Sequence, residues 1–220
     1  MRAIYTEPSA RVHTMNLTTL FGGIDIYLFD QLLKGRISAG DRILDAGCGS
    51  GRNAHYLLRE GFEVFGVDEN PRAIAAFAEL ATEVGHPLED GHARLAPLDA
   101  LPFDSGVFDV VICSAVLHFA RDDAHFEGMI GELFRVLRPG GLFFARLASS
   151  AGIESEVRWV NTDEGRRALL PDGSERYLTD EAQLMRLTAR YGALLDPLKT
   201  TIVHGQRSMT TWVVRHRGIG

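Results

Sequence analysis

A chain of 220 residues of which 45% are apolar is long enough to bury one sizeable core and short for two, so one domain spanning 1–220 is expected. The formal net charge of -6, with no lysine- or arginine-rich run, argues against affinity drawn from phosphate neutralisation, and nucleic acid is not an expected partner. No apolar run reaches bilayer-spanning length and no basic start precedes an apolar stretch, so neither a membrane span nor a signal peptide is expected and a cytoplasmic location follows.

Residues 1 to 20 carry no strong structural signal, and 1–41 reads as an N-terminal segment with a covering helix. That helix runs from Ile24 to Lys34, with Ile24, Leu28 and Leu32 on one face and Gly35 as its stop. Arg42 to Asn53 then reads Arg-Ile-Leu-Asp-Ala-Gly-Cys-Gly-Ser-Gly-Arg-Asn, a short buried strand, a glycine turn and a helix start. A ligand can approach the main chain closely at such a turn. Glu63 to Val67 is a second strand ending on Asp68 and Glu69. Asn70 then caps a helix with Pro71 in its first position, and Ile74, Phe77, Ala78 and Ala81 recur at helical spacing. A carboxylate about twenty residues past a glycine turn is placed to accept hydrogen bonds from the two hydroxyls of a ribose, and Asp68 is that group.

Ala93 to Ala96 is a short third strand, and Val107 to Cys113 a near-continuous apolar run of the kind a central parallel strand needs. Ser114 to Phe119 follow at its carboxyl end and are expected to face the crevice of the glycine turn. A helix from about Asp123 to Leu137 is ended by Arg138-Pro139-Gly140-Gly141, with a fifth strand over Leu142 to Ala145. Polar residues from Ser149 to Tyr177 read as an insertion on the substrate side, 149–177. A helix from Thr179 to Tyr191 stops at Gly192, and Leu194 to His204 with Ser208 to His216 form an antiparallel hairpin. The order predicts an α/β fold with a mostly parallel sheet finished by that hairpin.

The glycine spacing separates two ligand classes. A dinucleotide fingerprint, Gly-x-Gly-x-x-Gly, would place its third glycine at position 52, which is Arg52, and this argues against a nicotinamide-dependent dehydrogenase. Gly47, Gly49 and Gly51 with Asp45 upstream, the Leu98-Asp99-Ala100-Leu101-Pro102-Phe103 stretch, and Leu137 to Gly141 before the fifth strand together resemble the class I S-adenosylmethionine-dependent methyltransferases. The resemblance covers roughly 42–147 and implies a three-layer Rossmann-like sandwich with a seven-stranded sheet. It further implies S-adenosylmethionine as cofactor, held by Asp45, Gly47, Cys48, Gly49, Gly51, Arg52, Asp68, Glu69, Asp99, Ala100 and Ser114. Asp99 would meet the adenine amino group and the Ala100 amide a ring nitrogen. The reaction would move a methyl group to a small molecule by in-line displacement, as in relatives linked to tellurite or thiol detoxification. The alternative is a regulatory protein that binds the cofactor without turnover.

His118 is the candidate proton acceptor because an unperturbed imidazole titrates near neutral pH. Arg146 is a candidate for holding an anionic acceptor, and Arg158 with Trp159 for lining its pocket. Cys48 and Cys113 are too few for a disulfide framework and read as small buried residues beside the site. The eight histidines form no ligand-spaced motif, so no metal is expected. The acceptor atom and the oligomeric state have no signature in the sequence.

Overall fold

The computed structural model describes residues 16–161 and 166–218. Two helices come first, α1 (Leu17–Phe21) and α2 (Ile26–Leu33). The rest of the N-terminal half is β1 (Arg42–Ala46), α3 (Ala54–Arg59), β2 (Glu63–Asp68), α4 (Pro71–Glu83), β3 (Ala93–Leu95) and β4 (Phe108–Ser114). A one-turn 3₁₀ segment, Leu117–Phe119, leads into α5 (Asp123–Val136) and β5 (Leu137–Ala148). Beyond these lie β6 (Arg158–Asn161), β7 (Arg167–Leu169), β8 (Glu175–Tyr177), α6 (Glu181–Tyr191), β9 (Gly192–Leu194), β10 (Lys199–Val203) and β11 (Arg207–His216).

The main sheet runs β3-β2-β1-β4-β5-β11-β10. β1 through β5 are parallel, and β11 enters antiparallel to β5, with Trp212 opposite Ala145. The chain builds outward from β1 through β2 and β3, then returns to β1's other side with β4. That reversal opens a crevice at the carboxyl ends of β1 and β4.

Alternation along the strands divides the core. Val111 and Cys113 of β4, Phe143 and Ala145 of β5 and Trp212 pack with Phe126, Ile130 and Phe134 of α5 and Leu187 and Tyr191 of α6. Val110, Ile112, Phe144 and Val213 face the opposite way, onto Leu28 of α2, Leu57 of α3 and Phe77 of α4. The result is helices on both faces of one sheet, the expected three-layer arrangement. Trp212 is fully buried and its indole N–H donates to Thr188 Oγ1 at 2.8 Å, which satisfies the one polar atom of the ring.

Several boundaries differ from the sequence reading, each for a local reason. Asn16 caps a short helix, its side chain accepting from the amides of Thr18 and Thr19, where no element was expected. β5 starts at Leu137, paired with Phe108, and a register shift absorbs the Pro-Gly-Gly residues before Leu142 pairs with Val110. The expected strand from Leu194 to His204 is broken into β9 and β10, both alongside β11. Pro197 lies in the gap and has no N–H to give a ladder. The insertion is not structureless: β6, β7 and β8 form a second antiparallel sheet over a small core of Ile153, Ala168, Leu170 and Leu178.

Candidate active site

The glycine turn between β1 and α3 is held by its own amides. The N–H groups of Gly47 and Cys48 both donate to Val67 O, at 2.7 and 3.0 Å, and that of Gly51 donates to Cys48 O. The Gly49 amide donates to Asp68 Oδ2 at 3.0 Å, and the Asn70 amide to Asp68 Oδ1 at 2.9 Å. A pyrophosphate site needs amides turned toward the ligand; here those of Gly47, Cys48, Gly49 and Gly51 are spent inside the turn and against the end of β2. Gly47 and Gly51 have φ of 74° and 82°, and a Cβ on Gly47 would lie 2.4 Å from Val116 Cγ2. Glycine at 47 therefore lets the turn pack directly against the segment after β4.

Next to this turn lies a cleft of roughly 310 Å³. Of the expected cofactor residues, Gly47, Asp68, Glu69 and Ser114 line it. Ala115, Val116 and Phe119, expected to face this crevice, line it too, and Asn70, Pro97, Leu98, His125 and Met129, which the sequence did not mark as site residues, complete its walls. Asn70 and Pro97 adjoin expected positions, whereas His125 and Met129 sit on consecutive turns of α5, a face that reads in sequence only as helix.

Cys48, Gly49, Gly51 and Arg52 are not among the cleft's lining residues but adjoin those that are. Cys48 and Cys113 are free and buried, and burial first, with nearby carboxylates second, pushes both thiols well above their usual range. Arg52 reaches Ser114 Oγ and Gly23 O, both at 3.4 Å, tying the glycine turn to β4 and to the segment before α2. Asn53 accepts the Asp25 amide at 3.0 Å, a link between the same two regions.

Asp45 is buried beneath the turn, and its Oδ2 has no hydrogen-bond partner among the described residues. Burial pushes its carboxyl up to about 7, opposed by the Arg52 charge and reinforced by Asp68. Asp99 and Ala100, expected at the adenine edge, are not among the cleft's lining residues, though Asp99 adjoins His125, which is. The Ala100 amide donates to Pro97 O at 3.3 Å, and Asp99 Oδ2 lies 3.5 Å from His125 Nε2 and 3.9 Å from Arg121. Because His125 Nδ1 accepts the Arg121 amide at 3.1 Å, its Nε2 carries the proton and faces Asp99. Pro97 and Leu98, immediately before Asp99 and Ala100, line the cleft.

A second cavity of roughly 260 Å³ adjoins the first through Ala115. Ala115 has φ of 65°, uncommon for a residue with a Cβ, and its amide donates to Arg146 O at 2.7 Å. His118, Arg146, Asp172, Ser174, Arg176 and Arg207 are among the second cavity's lining residues. The premise that His118 titrates near neutrality is corrected: burial, then the Arg176 charge, pushes the imidazole down to about 4. The ring is neutral at pH 7, and the surrounding charge opposes imidazolium. Arg146 donates to the buried Asp25 carboxylate at 3.1 Å. Arg158 and Trp159 do not line this cavity; the β7–β8 hairpin does. Among the described residues no group of three or more His, Cys, Asp or Glu side chains converges as a metal site would require, and no helix is long and apolar enough to cross a membrane.

The donor set suits a nucleoside with an amino-acid tail better than a dinucleotide. One carboxylate is oriented at the end of β2 by two amides, an apolar wall faces it across the cleft, and an unpartnered carboxyl oxygen lies below. Comparison with known proteins agrees. Residues 44–145 match the methyltransferase domain model. An uncharacterised methyltransferase of Synechocystis sp. is 34% identical over 175 residues, covering 71% of this chain and 76% of that protein. The ubiquinone biosynthesis O-methyltransferase of Methylocella silvestris is 33% identical over 171 residues, covering 73% of this chain, which spans 64% of that protein's length. Among solved structures, an S-adenosylmethionine-dependent methyltransferase of Methanosarcina mazei superposes with a TM-score of 0.67 at 22% identity, covering 86% of this chain and 98% of that one, a likeness of fold. With the strand order, the glycine turn and relatives at this level of identity in agreement, the chain belongs to the class I S-adenosylmethionine-dependent methyltransferases.

Proposed function

We propose that the protein transfers a methyl group to a small-molecule acceptor, with the cofactor in the cleft beside Gly47 and Asp68 and the acceptor in the adjoining cavity. The observation that carries this reading is the adjacency of the two cavities across Ala115. Bound there, S-adenosylmethionine supplies a methyl group already activated on its sulfonium, so the chain's own work is alignment and exclusion of water. Asp68 holds the ribose hydroxyls, its remaining lone pairs being oriented by the Gly49 and Asn70 amides. Asp45 places an unpartnered carboxyl oxygen beneath the cofactor's amino-acid end. Pro97, Leu98 and Met129 supply the apolar wall for the adenine, and the Asp99–His125 pair closes the cleft near that end.

His118 serves as a neutral imidazole that accepts a hydrogen bond from the acceptor. An acceptor that arrives ionised needs no base, and the cationic surroundings of His118 favour that route. The chain acts as one domain, and its 149–177 segment shapes the acceptor side through the β7–β8 hairpin. Two free, buried cysteines suit a reducing, cytoplasmic setting. The test is a thermal-shift comparison, since a ligand that prefers the native state raises the melting temperature by mass action. S-adenosylhomocysteine is expected to stabilise the protein and NAD is not. The reverse result overturns the reading.

A further inference from the structure

The second cavity differs in character from the first. Arginines reach it from three parts of the chain: Arg146 from β5, Arg176 from β8 and Arg207 from the start of β11. Two carboxylates stand against them, and both are engaged. Asp25 accepts from Arg146 and from the Tyr27 amide, and Asp172 from the amide and hydroxyl of Ser174 at 2.9 and 2.6 Å. Arg176 and Arg207 have no carboxylate within salt-bridge distance among the described residues, although both lie near enough to Asp172 to lower its pKa. The wall therefore keeps an excess of positive charge. Polar capacity is also left over: Arg146 Nε and His118 Nδ1 are buried without hydrogen-bond partners among the described residues, and His118 is only 8% exposed. Buried polar atoms without partners are uncommon in folded proteins, and both of these belong to residues that line this cavity.

We propose that the acceptor is a small molecule bearing a carboxylate, held by Arg176 and Arg207 beside Arg146, in the cavity that shares Ala115 with the cofactor cleft. Guanidinium groups match a carboxylate with paired N–H donors. A single negative charge balances the excess that remains once Asp25 and Asp172 are counted, whereas a phosphate dianion would exceed it. The inference rests on the reading of the neighbouring cleft as the cofactor site.

The experiment uses benzoate, benzamide and inorganic phosphate as probes of the full chain saturated with S-adenosylhomocysteine, read by calorimetric titration. Benzoate is expected to bind at least about tenfold more tightly than benzamide, a difference of about 1.4 kcal/mol. Arg207→Gln, an exposed position, should weaken benzoate several-fold, and Arg176→Gln with Arg207→Gln should abolish the preference over benzamide. S-adenosylhomocysteine affinity, measured on each variant, should stay within about twofold, which also shows that the variants fold. Equal binding of benzoate and benzamide, tighter binding of phosphate than of benzoate, or a preference that survives the double substitution overturns the proposal. Failure of S-adenosylhomocysteine to bind the unsubstituted protein would instead overturn the cofactor reading itself.

Discussion

Asp45 is a carboxylic acid whose folded environment favours its neutral form, and its substitution by asparagine should change the pH dependence of stability. The unfolded chain loses this proton near 3.8 and the folded chain near 7. Between these values the native state holds more protons than the unfolded state, so unfolding free energy falls as pH rises. The stabilisation is fully present below about 3.8 and lost as pH passes 7, the reverse of an ion-paired aspartate. At about 1.36 kcal/mol per pH unit the whole window is worth about 4 kcal/mol, and the part between pH 5 and 7 about 3 kcal/mol. Both are upper values, since water entry and relaxation reduce the penalty.

The wild-type curve alone would not isolate this effect, because His118, depressed to about 4, contributes in the opposite sense between that value and 6.5. The difference between Asp45→Asn and wild type removes the His118 contribution. Any loss or gain from the new amide is independent of pH and displaces one curve without tilting it. Urea unfolding of the ligand-free proteins at pH 5, 6, 7 and 8, extrapolated linearly, gives the four differences. Asp45→Asn should gain on wild type by about 3 kcal/mol across that range. Differences constant to within about 0.5 kcal/mol would show that Asp45 is ionised in the folded protein throughout, and the argument from burial would fail.

Asp68→Ala should weaken S-adenosylhomocysteine binding by at least about tenfold, because charged hydrogen bonds are worth about 1.5–3 kcal/mol each. The same change releases the Gly49 and Asn70 amides, so chemical unfolding should also show a loss of about 2 kcal/mol or more, and wild-type affinity in the folded variant would remove Asp68 from the site. For His118, ring resonances followed by NMR should not move between pH 6 and 8, and Arg176→Gln should raise its midpoint by removing the neighbouring positive charge. A midpoint near neutrality in the unsubstituted protein would restore the general-base reading of His118.

The elements legible in the sequence are those written in contiguous residues. The apolar run of β4, the helix repeat over Phe126, Ile130 and Leu133, the Asn70–Pro71 cap and the glycine turn each carry their geometry within about fifteen residues. Their order was enough for a doubly wound sheet, because parallel strands need crossover helices and the crevice then opens where the strand order reverses. Asp68 was legible for the same reason: it ends a strand whose neighbour carries the turn, and its carboxylate meets the Gly49 amide across that one strand pair.

Contacts between distant segments were decided only by the tertiary structure. Asp99 has the composition of a binding loop, and its place beside His125 of α5, next to a cleft lined by Pro97, Leu98 and His125, depends on how the loop docks on the helix. An ordinary imidazole pKa makes His118 a candidate base in the sequence, and burial and an arginine fifty-eight positions away lower it. Arg146 reads in the sequence as a candidate for an anionic acceptor, whereas Arg176 and Arg207 look like unrelated, solvated charges. The fold of the second sheet and the antiparallel entry of β11 bring the three to one cavity, where their positive charge is concentrated.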